Sequence, residues 1–365
     1  MKLFALITDA FGGRGGIAKF NRDLLASLAA DPGVSSIVAL PRLVEGPTGP
    51  IPPKIQFDVG GANDKIRFVG AAFRLVLTRG RFDWIICGHL NLLPFAALLK
   101  KVCAKKLLLV VHGVEGWREG SAAQKKALKN VDYLIVVSEF SRQRFLKWNK
   151  TPPPKYFILP NAVDFTSFAP GPSPGYLIER YRLQGKKVLL TLARLSAEEK
   201  YKGIDEVLDS IPLLLKQVPN LLYLVAGDGS DRSRLEQKVR DLGIADHVCF
   251  AGHILESEKI DHYRVADAFV MAGWGEGFGI VYLEALACGL PVIGSNLDAS
   301  QEALLHGRLG MLVDPKQQAQ LIDAVTKTLK LSKGSVSPEL ETFSLPAFAQ
   351  RCSSIVSELQ KVLAA

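Results

Sequence analysis

The sequence predicts an α/β protein in which two doubly wound parallel-sheet domains follow one another along the chain. Short apolar runs alternate with helical patterns through the first half, and the same alternation starts again in the second half. This rhythm is typical of parallel strands joined by helices on both faces of a sheet. At 365 residues the chain is also longer than one hydrophobic core usually supports, so two domains are expected.

The predicted strands are short apolar runs that end in a glycine, a proline or a polar residue. In the first half these runs are KLFALIT, SIVAL, WIICG, KLLLVVHG, DYLIVVS and YFILPN. In the second half they are KKVLLTLARL, LLYLVAGDG, HVCFAG, AFVMAG and PVIGS.

The connections between these runs carry apolar residues at helical spacing, which predicts a helix in most of them. In the first half the predicted helices cover residues 16–30, 65–77, 92–100, 121–128 and 141–148. In the second half they cover residues 204–217, 230–242, 256–265, 280–288 and 318–330. A polar, serine-rich connection then precedes a final amphipathic helix at about residues 345–363.

A proline- and glycine-rich segment separates the two alternating regions. The stretch APGPSPGYL from Ala169 to Leu177 contains three prolines and two glycines, which is a linker signal. We therefore expect a first domain over residues 1–168, a linker over 169–184 and a second domain over 185–344. The final helix, within residues 345–365, is expected to pack back on the first domain.

Composition excludes several classes of protein. The chain has 48% hydrophobic and 22% charged residues, as soluble globular proteins do, and no apolar run reaches the ~20 residues that a spanning helix needs. The apolar start ends in a turn after about seven residues, so it is interpreted as a first strand and not as a signal peptide. The five cysteines are far apart, which argues against disulfides and a structural zinc site. A cytoplasmic location is expected.

Positive charge is concentrated in the first half of the chain. Residues 1–170 hold 24 Lys and Arg against 12 Asp and Glu, whereas the remainder holds 21 against 24. These basic residues could bind the anionic inner face of the cytoplasmic membrane, or they could form an ordinary solvated surface. Nucleic acid is not expected as a partner, because the sequence has no basic repeat interleaved with aromatic residues.

A glycine-rich turn follows the first predicted strand, in FGGRGGIAKFNRDLL from Phe11 to Leu25. The turn runs into a helix, and the amide groups at a helix start favour an anion such as phosphate. Gly13, Gly15 and Ala18 match a dinucleotide fingerprint, but the expected acid about 20 residues later is absent from VALPRL, which weakens a nicotinamide interpretation. A purely structural tight turn remains an alternative.

The most specific motif is GWGEGFGIVYLEALACGLPVIGS, which begins at Gly273. Glu276 lies in a loop, and Glu284 lies about one turn into the following helix. The two acids can therefore contact different parts of one ligand, while the amide groups of residues 278–280 can bind its phosphate.

This motif resembles the signature of two glutamates with seven residues between them in the retaining glycosyltransferases of family 4, which have the two-domain GT-B fold. The resemblance extends along most of the chain. It includes the two glycines at positions 15 and 16, the histidine of VVHG, the serine that opens SEFSRQRFL, and LPNAVD, which has Ala162 where the family has glycine. It continues with LARLSAEEKYKGID, with GDG and with LACGLPVIGS.

The resemblance implies two domains facing across a cleft and a set of donor contacts. They are Gly15, Gly16, Arg194, Lys202, Gly227, Ile254, Glu276, Gly277, Phe278, Gly279, Ile280 and Glu284. Catalytic roles are implied for Glu276, His112, Arg194 and Lys202, and acceptor-side roles for Ser138 and Asn161. Taken alone, His112 could equally be a core histidine, and the two cations could be solvated surface charges.

The activity implied is the transfer of a hexose, with retention, from a UDP- or GDP-sugar to an acceptor hydroxyl. The acceptor would be a carbohydrate or a lipid-linked sugar in polysaccharide, lipopolysaccharide or glycolipid synthesis. No cofactor and no metal are expected, because the two cations can stabilise charge that develops on the leaving diphosphate. A nucleotide-sugar epimerase, a glycan phosphorylase and a non-catalytic nucleotide-sugar binding protein share the architecture and remain alternatives.

Overall fold

The computed structural model describes residues 1–150 and 155–364 of the chain. Over these residues the chain forms two compact units. The first unit holds Met1–Ala162 together with the C-terminal helix, and the second holds Val163–Ser344. Each unit is built around its own sheet.

The first unit has a seven-stranded parallel sheet. Its strands are β1 (Lys2–Ile7), β2 (Ser36–Pro41), β3 (Ile55–Phe57), β4 (Phe82–Cys87), β5 (Ala104–Val111), β6 (Tyr133–Val136) and β7 (Lys155–Ile158). They lie in the order β3-β2-β1-β4-β5-β6-β7, and all neighbours run parallel. In the described part of the chain, the α-helices that connect them are α1 (Gly15–Ala30), α2 (Lys65–Arg79), α3 (Leu93–Cys103), α4 (Val114–Trp117), α5 (Ala122–Leu128) and α6 (Glu139–Trp148).

The second unit has a six-stranded parallel sheet. Its strands are β8 (Lys187–Leu192), β9 (Leu221–Ala226), β10 (Val248–Gly252), β11 (Ala268–Val270), β12 (Val292–Ser295) and β13 (Met311–Val313). They lie in the order β10-β9-β8-β11-β12-β13. The helices are α7 (Gly175–Arg180), α8 (Ile204–Leu214), α9 (Arg232–Asp241), α10 (Lys259–Val265), α11 (Ile280–Ala287), α12 (Ser300–Ala303) and α13 (Gln318–Thr328).

The last helix, α14 (Leu345–Ala364), belongs to the first unit. It packs against α1, where the ring of Phe348 meets the ring of Phe20 edge-on at 5.7 Å. Farther along, the Gln360 side chain donates a hydrogen bond of 3.5 Å to the carbonyl oxygen of Gly33. The apolar stripe that the sequence shows in this helix is thus buried on the first unit.

Continuous apolar strands form the core of each sheet. In β1 the residues from Leu3 to Leu6 are fully buried, and β9 is buried from end to end. Strands that are covered on both faces by helices require such continuous apolar sequence, because neither side of the strand meets water. The hydrophobic runs of the sequence therefore form the centres of the two sheets.

The order of each sheet reverses at one place. In the first sheet the reversal lies between β1 and β4, and in the second it lies between β8 and β11. At such a reversal the loops beyond the carboxyl ends of the two strands diverge and leave a crevice, which is where open α/β sheets bind ligands. Each unit therefore has one place, defined by topology, where a binding site is expected.

The predicted fold class is confirmed, since both sheets are parallel and doubly wound. The structure adds two short edge strands, β3 and β13, that were not predicted. It also corrects the linker, because residues 169–184 include helix α7 and lie within the second unit, which begins at Val163. The amide of Val163 donates to the carbonyl oxygen of Phe343, at 2.8 Å, within that unit. None of the helices in the described ranges is both long and apolar enough to cross a bilayer.

Candidate functional site

The loops that follow β8 and β11 carry three of the predicted catalytic residues. Arg194 and Lys202 lie in the loop after β8, and Glu276 lies in the loop after β11. Because β8 and β11 flank the reversal of the second sheet, these loops border its predicted crevice. Lys202 and Glu276 are far apart in the sequence, but β8 and β11 are neighbours in the sheet, and this brings their loops together.

Glycine allows the two loops to touch. Gly203 has a φ of +81°, and a Cβ atom placed on it would lie 2.0 Å from the carbonyl oxygen of Ala272. On the opposite loop, a Cβ atom on Gly273 would lie 2.1 Å from the carbonyl oxygen of Tyr201. The amide of Trp274 donates to that same oxygen at 2.9 Å. A side chain at either glycine would force the loops apart.

Lys202 and Glu276 form an ion pair. The Nζ atom of Lys202 lies 2.6 Å from Oε2 of Glu276, and each side chain is 19% exposed. Desolvation of the lysine opposes its charged form, but the negative charge and hydrogen bond of Glu276 outweigh this and raise the pKa of Lys202. The ammonium group therefore stays charged next to the carboxylate.

Arg194 is held differently, because its side chain is 71% exposed. Its guanidinium group forms a two-point ion pair with Glu199, and the Nε to Oε2 distance is 3.3 Å. The hydrogen bond to Glu199 is the main cause that raises the pKa of Arg194. An exposed guanidinium paired with one carboxylate can exchange that partner for a diphosphate, which offers the same two-oxygen geometry.

Helix α11 starts directly after the Glu276 loop. Gly279 has a φ of +94°, and a Cβ atom there would lie 2.4 Å from the ring of Tyr282, so this turn requires glycine. Gly277 is buried, and Phe278 packs edge-on against the ring of Phe343 at 5.5 Å. These contacts fix the turn that leads into the first amide groups of α11, from Ile280 onwards.

Glu284 is buried and has two partners that were missed in the sequence. Its side chain is 1% exposed, Oε1 lies 2.7 Å from Nζ of Lys259, and Oε2 accepts from the Tyr263 hydroxyl at 2.8 Å. A carboxylate has lone pairs for further donors, so a ligand could still bind beside these partners. Lys259 and Tyr263 lie on α10, more than 20 residues earlier, and no local pattern in the sequence pairs them with Glu284.

The loops after β9 and β10 hold the remaining donor residues that were predicted in this unit. Gly227 has a φ of +140°, and a Cβ atom there would lie 1.9 Å from the carbonyl oxygen of Ala193. The Gly227 amide donates to the carbonyl oxygen of Gly252 at 2.9 Å, and Ile254 follows two residues later in a half-buried position. Gly227 thus places the β9 loop directly against the chain that leads to Arg194.

In the first unit, the glycine turn opens helix α1. Gly15 has a φ of +84°, and a Cβ atom on it would meet no other atom within 4 Å. Gly16 follows in the exposed first turn of α1. The turn therefore leaves open space at the helix start, as the sequence argument requires for the approach of a large anion.

His112 lies after β5 in a packed position. Its Nε2 atom is 2.9 Å from the carbonyl oxygen of Gly88, and its ring meets the ring of Phe20 at 5.0 Å. Burial lowers the pKa of His112, although Glu115 opposes this effect. The neutral ring donates from Nε2 to Gly88, so Nδ1 is its acceptor. A second histidine, His89, lies 6.4 Å away between ring centres and was not predicted.

The two acceptor-side residues have different surroundings. Ser138 is fully buried, and its hydroxyl accepts from the Ser141 amide at 3.1 Å, so it acts as the N-cap of α6. This position gives no support to its predicted contact with an acceptor. Asn161 is half-buried just after β7. Across residues 1–150 and 155–364, no three His, Cys, Asp or Glu side chains are grouped so that they could hold a metal ion.

Family models match both halves of the chain. The model described as Glycosyltransferase Family 4 matches residues 14–167, and the model described as Glycosyl transferases group 1 matches residues 178–339. The chain belongs to glycosyltransferase family 4. Residues 194, 202, 276 and 284 all fall within the second match.

A curated relative of this family 4 chain comes from Mycolicibacterium smegmatis. It is named GDP-mannose-dependent alpha-(1-6)-phosphatidylinositol monomannoside mannosyltransferase and is 33% identical over 241 residues. The match covers 63% of this chain and 61% of the relative, so this family 4 chain matches less than two thirds of that protein's length.

Solved structures share the fold of the family 4 chain. Sucrose-phosphate synthase from Thermosynechococcus elongatus has a TM-score of 0.72 at 21% identity, covering 100% of this chain and 98% of that one. The Anabaena protein Alr3699/HepE in complex with UDP has a TM-score of 0.69 at 17% identity, with the same coverage of both chains. At these identities the likeness concerns the fold alone.

Proposed function

We propose that the chain is a retaining hexosyltransferase that uses a nucleoside-diphosphate sugar and an acceptor hydroxyl. The proposal rests on the ion pair of Lys202 with Glu276 at the reversal of the second sheet, where the loop that carries Lys202 also carries Arg194. The pair places one fixed cation next to a carboxylate that can bind sugar hydroxyls, and Arg194 adds an exposed cation from the same loop. Such a pattern suits a ligand that combines a diphosphate with a sugar.

The proposed chemistry follows from where charge develops. When the bond between the sugar and the diphosphate breaks, negative charge grows on the β-phosphate, and Arg194 and Lys202 stabilise it without a metal ion. Glu276 binds the sugar hydroxyls, and Glu284 binds the ribose. The acceptor attacks from the face that the diphosphate leaves, and the leaving phosphate takes its proton, so no protein group serves as general base.

GDP-mannose is the first donor to consider, because the mycobacterial relative is named as dependent on it. The proposed acceptor is a lipid-linked sugar or an inositol phospholipid, in line with the acceptor in that same name. Uridine diphosphate sugars remain the competing donors.

The proposal includes peripheral binding to anionic membrane at the inner face of the cytoplasmic membrane. Four large apolar side chains of α2 point to solvent, and Ile66 and Leu77 are 85% and 84% exposed. With Val69 and Phe73 they span an arc of about 80° at 100° per residue, opposite the buried face of the helix. Such a stripe on a solvent-exposed helix suits a lipid surface.

Basic residues supply the charge that this binding needs. Lys65, Arg67 and Arg79 lie exposed on the same helix, and the whole first half of the chain has a positive excess. Each lysine or arginine near an anionic surface contributes about 1 kcal/mol of attraction. An apolar stripe and surrounding cations together favour a membrane over a solvated surface.

A donor screen tests the proposed activity. GDP-mannose, GDP-glucose, UDP-glucose, UDP-galactose and ADP-glucose are compared for thermal stabilisation and slow hydrolysis, and then for transfer to phosphatidylinositol in vesicles. We expect stabilisation and transfer with one base, with the anomeric configuration of the donor retained by NMR. Conversion of the nucleotide sugar into an epimeric nucleotide sugar without an acceptor would indicate an epimerase, and a requirement for inorganic phosphate would indicate a phosphorylase. Tight binding without any turnover would indicate a sensor.

A further inference from the structure

A buried carboxylate holds the loop that presents Glu276. Asp298 lies between β12 and α12 and is fully buried, and its Oδ2 atom accepts from the Glu276 amide at 2.8 Å. The next amide, that of Ala299, donates to the Glu276 carbonyl oxygen at 3.1 Å. Both main-chain polar groups of Glu276 are thus bound by two consecutive residues of another loop.

The other oxygen of Asp298 is bound as well. Its Oδ1 atom accepts from the Ser300 amide at 3.0 Å. The Ser300 hydroxyl lies 2.8 Å from the Tyr282 hydroxyl, which in turn donates to the Met271 carbonyl oxygen at 2.6 Å. The network joins the end of β11 to α11 and α12, so the Glu276 loop is fixed at both of its ends.

We propose that Asp298 is a positioning residue whose ionised carboxylate holds Glu276 in its working place, and that protonation of Asp298 releases this loop and lowers transfer. The inference rests on the proposed function, because Glu276 is the residue assigned there to the donor sugar. An ionised carboxylate accepts from both amides, whereas the protonated group has a hydroxyl hydrogen that can point at neither. Protonation therefore removes or weakens one of the two bonds.

The surroundings set the pH range of this effect. Burial is the largest cause and raises the pKa of Asp298 to about 6, while its bonds with Ser300 and the Glu276 amide act in the opposite direction. The charged group that faces Asp298 is Glu276, and its negative charge also raises the pKa of Asp298. The titratable group on α11 is Tyr282, whose own pKa lies well above its usual value because it is buried. The switch is thus expected between roughly pH 5 and 7.

Hydrogen exchange tests the contact without any substrate. Exchange of the Glu276 amide is measured at pH 5.5 and 7.5, in the wild type and in Asp298→Asn, and is corrected for intrinsic rates. We expect the wild-type amide to be protected at pH 7.5 and to lose at least about tenfold of this protection at pH 5.5, while Asp298→Asn shows the reduced protection at both pH values. Equal protection of the wild-type amide at both pH values would overturn the inference. This outcome can be measured even if Asp298→Asn does not fold.

Kinetics test the link to transfer. We expect kcat of the wild type to fall as the pH drops through 6, and kcat of Asp298→Asn to be lowered roughly 10- to 100-fold at pH 7.5 with a flattened acid limb. The control is Asp267→Asn, because the Asp267 carboxylate also accepts from a main-chain amide, that of Val188, but at the opposite end of β8.

The outcomes separate two failures. If the wild type transfers sugar but Asp298→Asn keeps the wild-type profile, the inference about Asp298 is wrong. If the wild type transfers from no nucleotide sugar, the proposed function is wrong, and the exchange of the Glu276 amide alone decides whether Asp298 holds the loop.

Discussion

The ammonium group of Lys202 lies 2.6 Å from the Glu276 carboxylate, although the two residues are 74 positions apart in the chain. Each belongs to a loop that leaves one of the two strands at the reversal of the second sheet. A donor that binds here would therefore meet a cation whose position is fixed by its partner. Preorganised charge of this kind avoids the cost of reorientation when the ligand binds.

Replacement of Lys202 by methionine should weaken binding of a nucleoside diphosphate. Loss of one charged hydrogen-bond donor is worth about 1.5 to 3 kcal/mol, which corresponds to roughly 10- to 150-fold in Kd. Isothermal titration calorimetry with GDP and UDP measures this change. Lys187→Met is the control, because Lys187 also pairs with a carboxylate, that of Asp267, at the far end of the same strand. An equal loss of nucleotide affinity in both variants would show that Lys202 has no special role in binding.

Replacement of Lys259 by methionine should destabilise the second unit. It would leave the buried Glu284 carboxylate without its cation, which costs about 3 to 5 kcal/mol. The double variant Lys259→Met/Glu284→Gln should be more stable than the single one, because it buries no unpaired charge. Urea unfolding followed by hydrogen exchange of peptides from the second unit measures both. A single variant as stable as the wild type would show that the pair is not desolvated.

Acidification should destabilise the first unit through His112. Burial lowers the pKa of His112, so between that lowered value and 6.5 the unfolded chain binds more protons than the folded one, and stability falls as the pH drops through 6.5. Thermal unfolding is compared at pH 7.5 and 5.5 for the wild type and His112→Gln, whose amide can still donate to Gly88. We expect a smaller drop in Tm for the variant. The same drop in both proteins would mean that His112 does not titrate in this range.

Removal of the exposed apolar stripe should reduce membrane binding. Ile66→Ser/Leu77→Ser takes away the two most exposed large apolar side chains of α2, and each such group contributes up to about 1.5 to 3 kcal/mol when it enters lipid. Sedimentation with vesicles that contain anionic lipid should show at least about a tenfold loss. The matched variant Leu213→Ser/Leu331→Ser alters exposed leucines of the second unit and should bind as the wild type does. If neutral vesicles bind the wild type equally well, the basic residues have no part in the interaction.

More of the fold than of the candidate site can be predicted from the sequence. Apolar runs such as LLYLVA and LLLVV predict strands, because burial on both faces leaves a local pattern that can be read directly. The helix in residues 175–180 was not predicted, since prolines nearby resemble those of a linker. β3 and β13 are three-residue strands that do not lie within a longer apolar run, whereas β11, which is as short, lies within AFVMA and was predicted.

Contacts at the site are harder to predict from the sequence than strands are, because they join segments that are far apart in the chain. Glu276 and Glu284 stand out in the sequence, but their partners do not. Lys259 reaches Glu284, and Asp298 reaches the Glu276 amide, only after the sheet is assembled. An Asp that follows a strand, as in PVIGSNLD, is the one local signal that could have suggested Asp298. Its direction and burial depend on tertiary packing that no single segment specifies.

The most direct test of the account is the turnover of Arg194→Ala. Arg194 is 71% exposed and pairs only with Glu199 among the ion pairs of the described residues, so its loss should leave the fold intact. Arg308 serves as the control, because it is 62% exposed and pairs with Glu339, and its loss should also leave the fold intact. If Arg194 stabilises charge on the leaving diphosphate, kcat of Arg194→Ala should fall by about 10²-fold or more while donor affinity changes less and Arg308→Ala stays at the wild-type rate. A near wild-type kcat in folded Arg194→Ala would contradict the account.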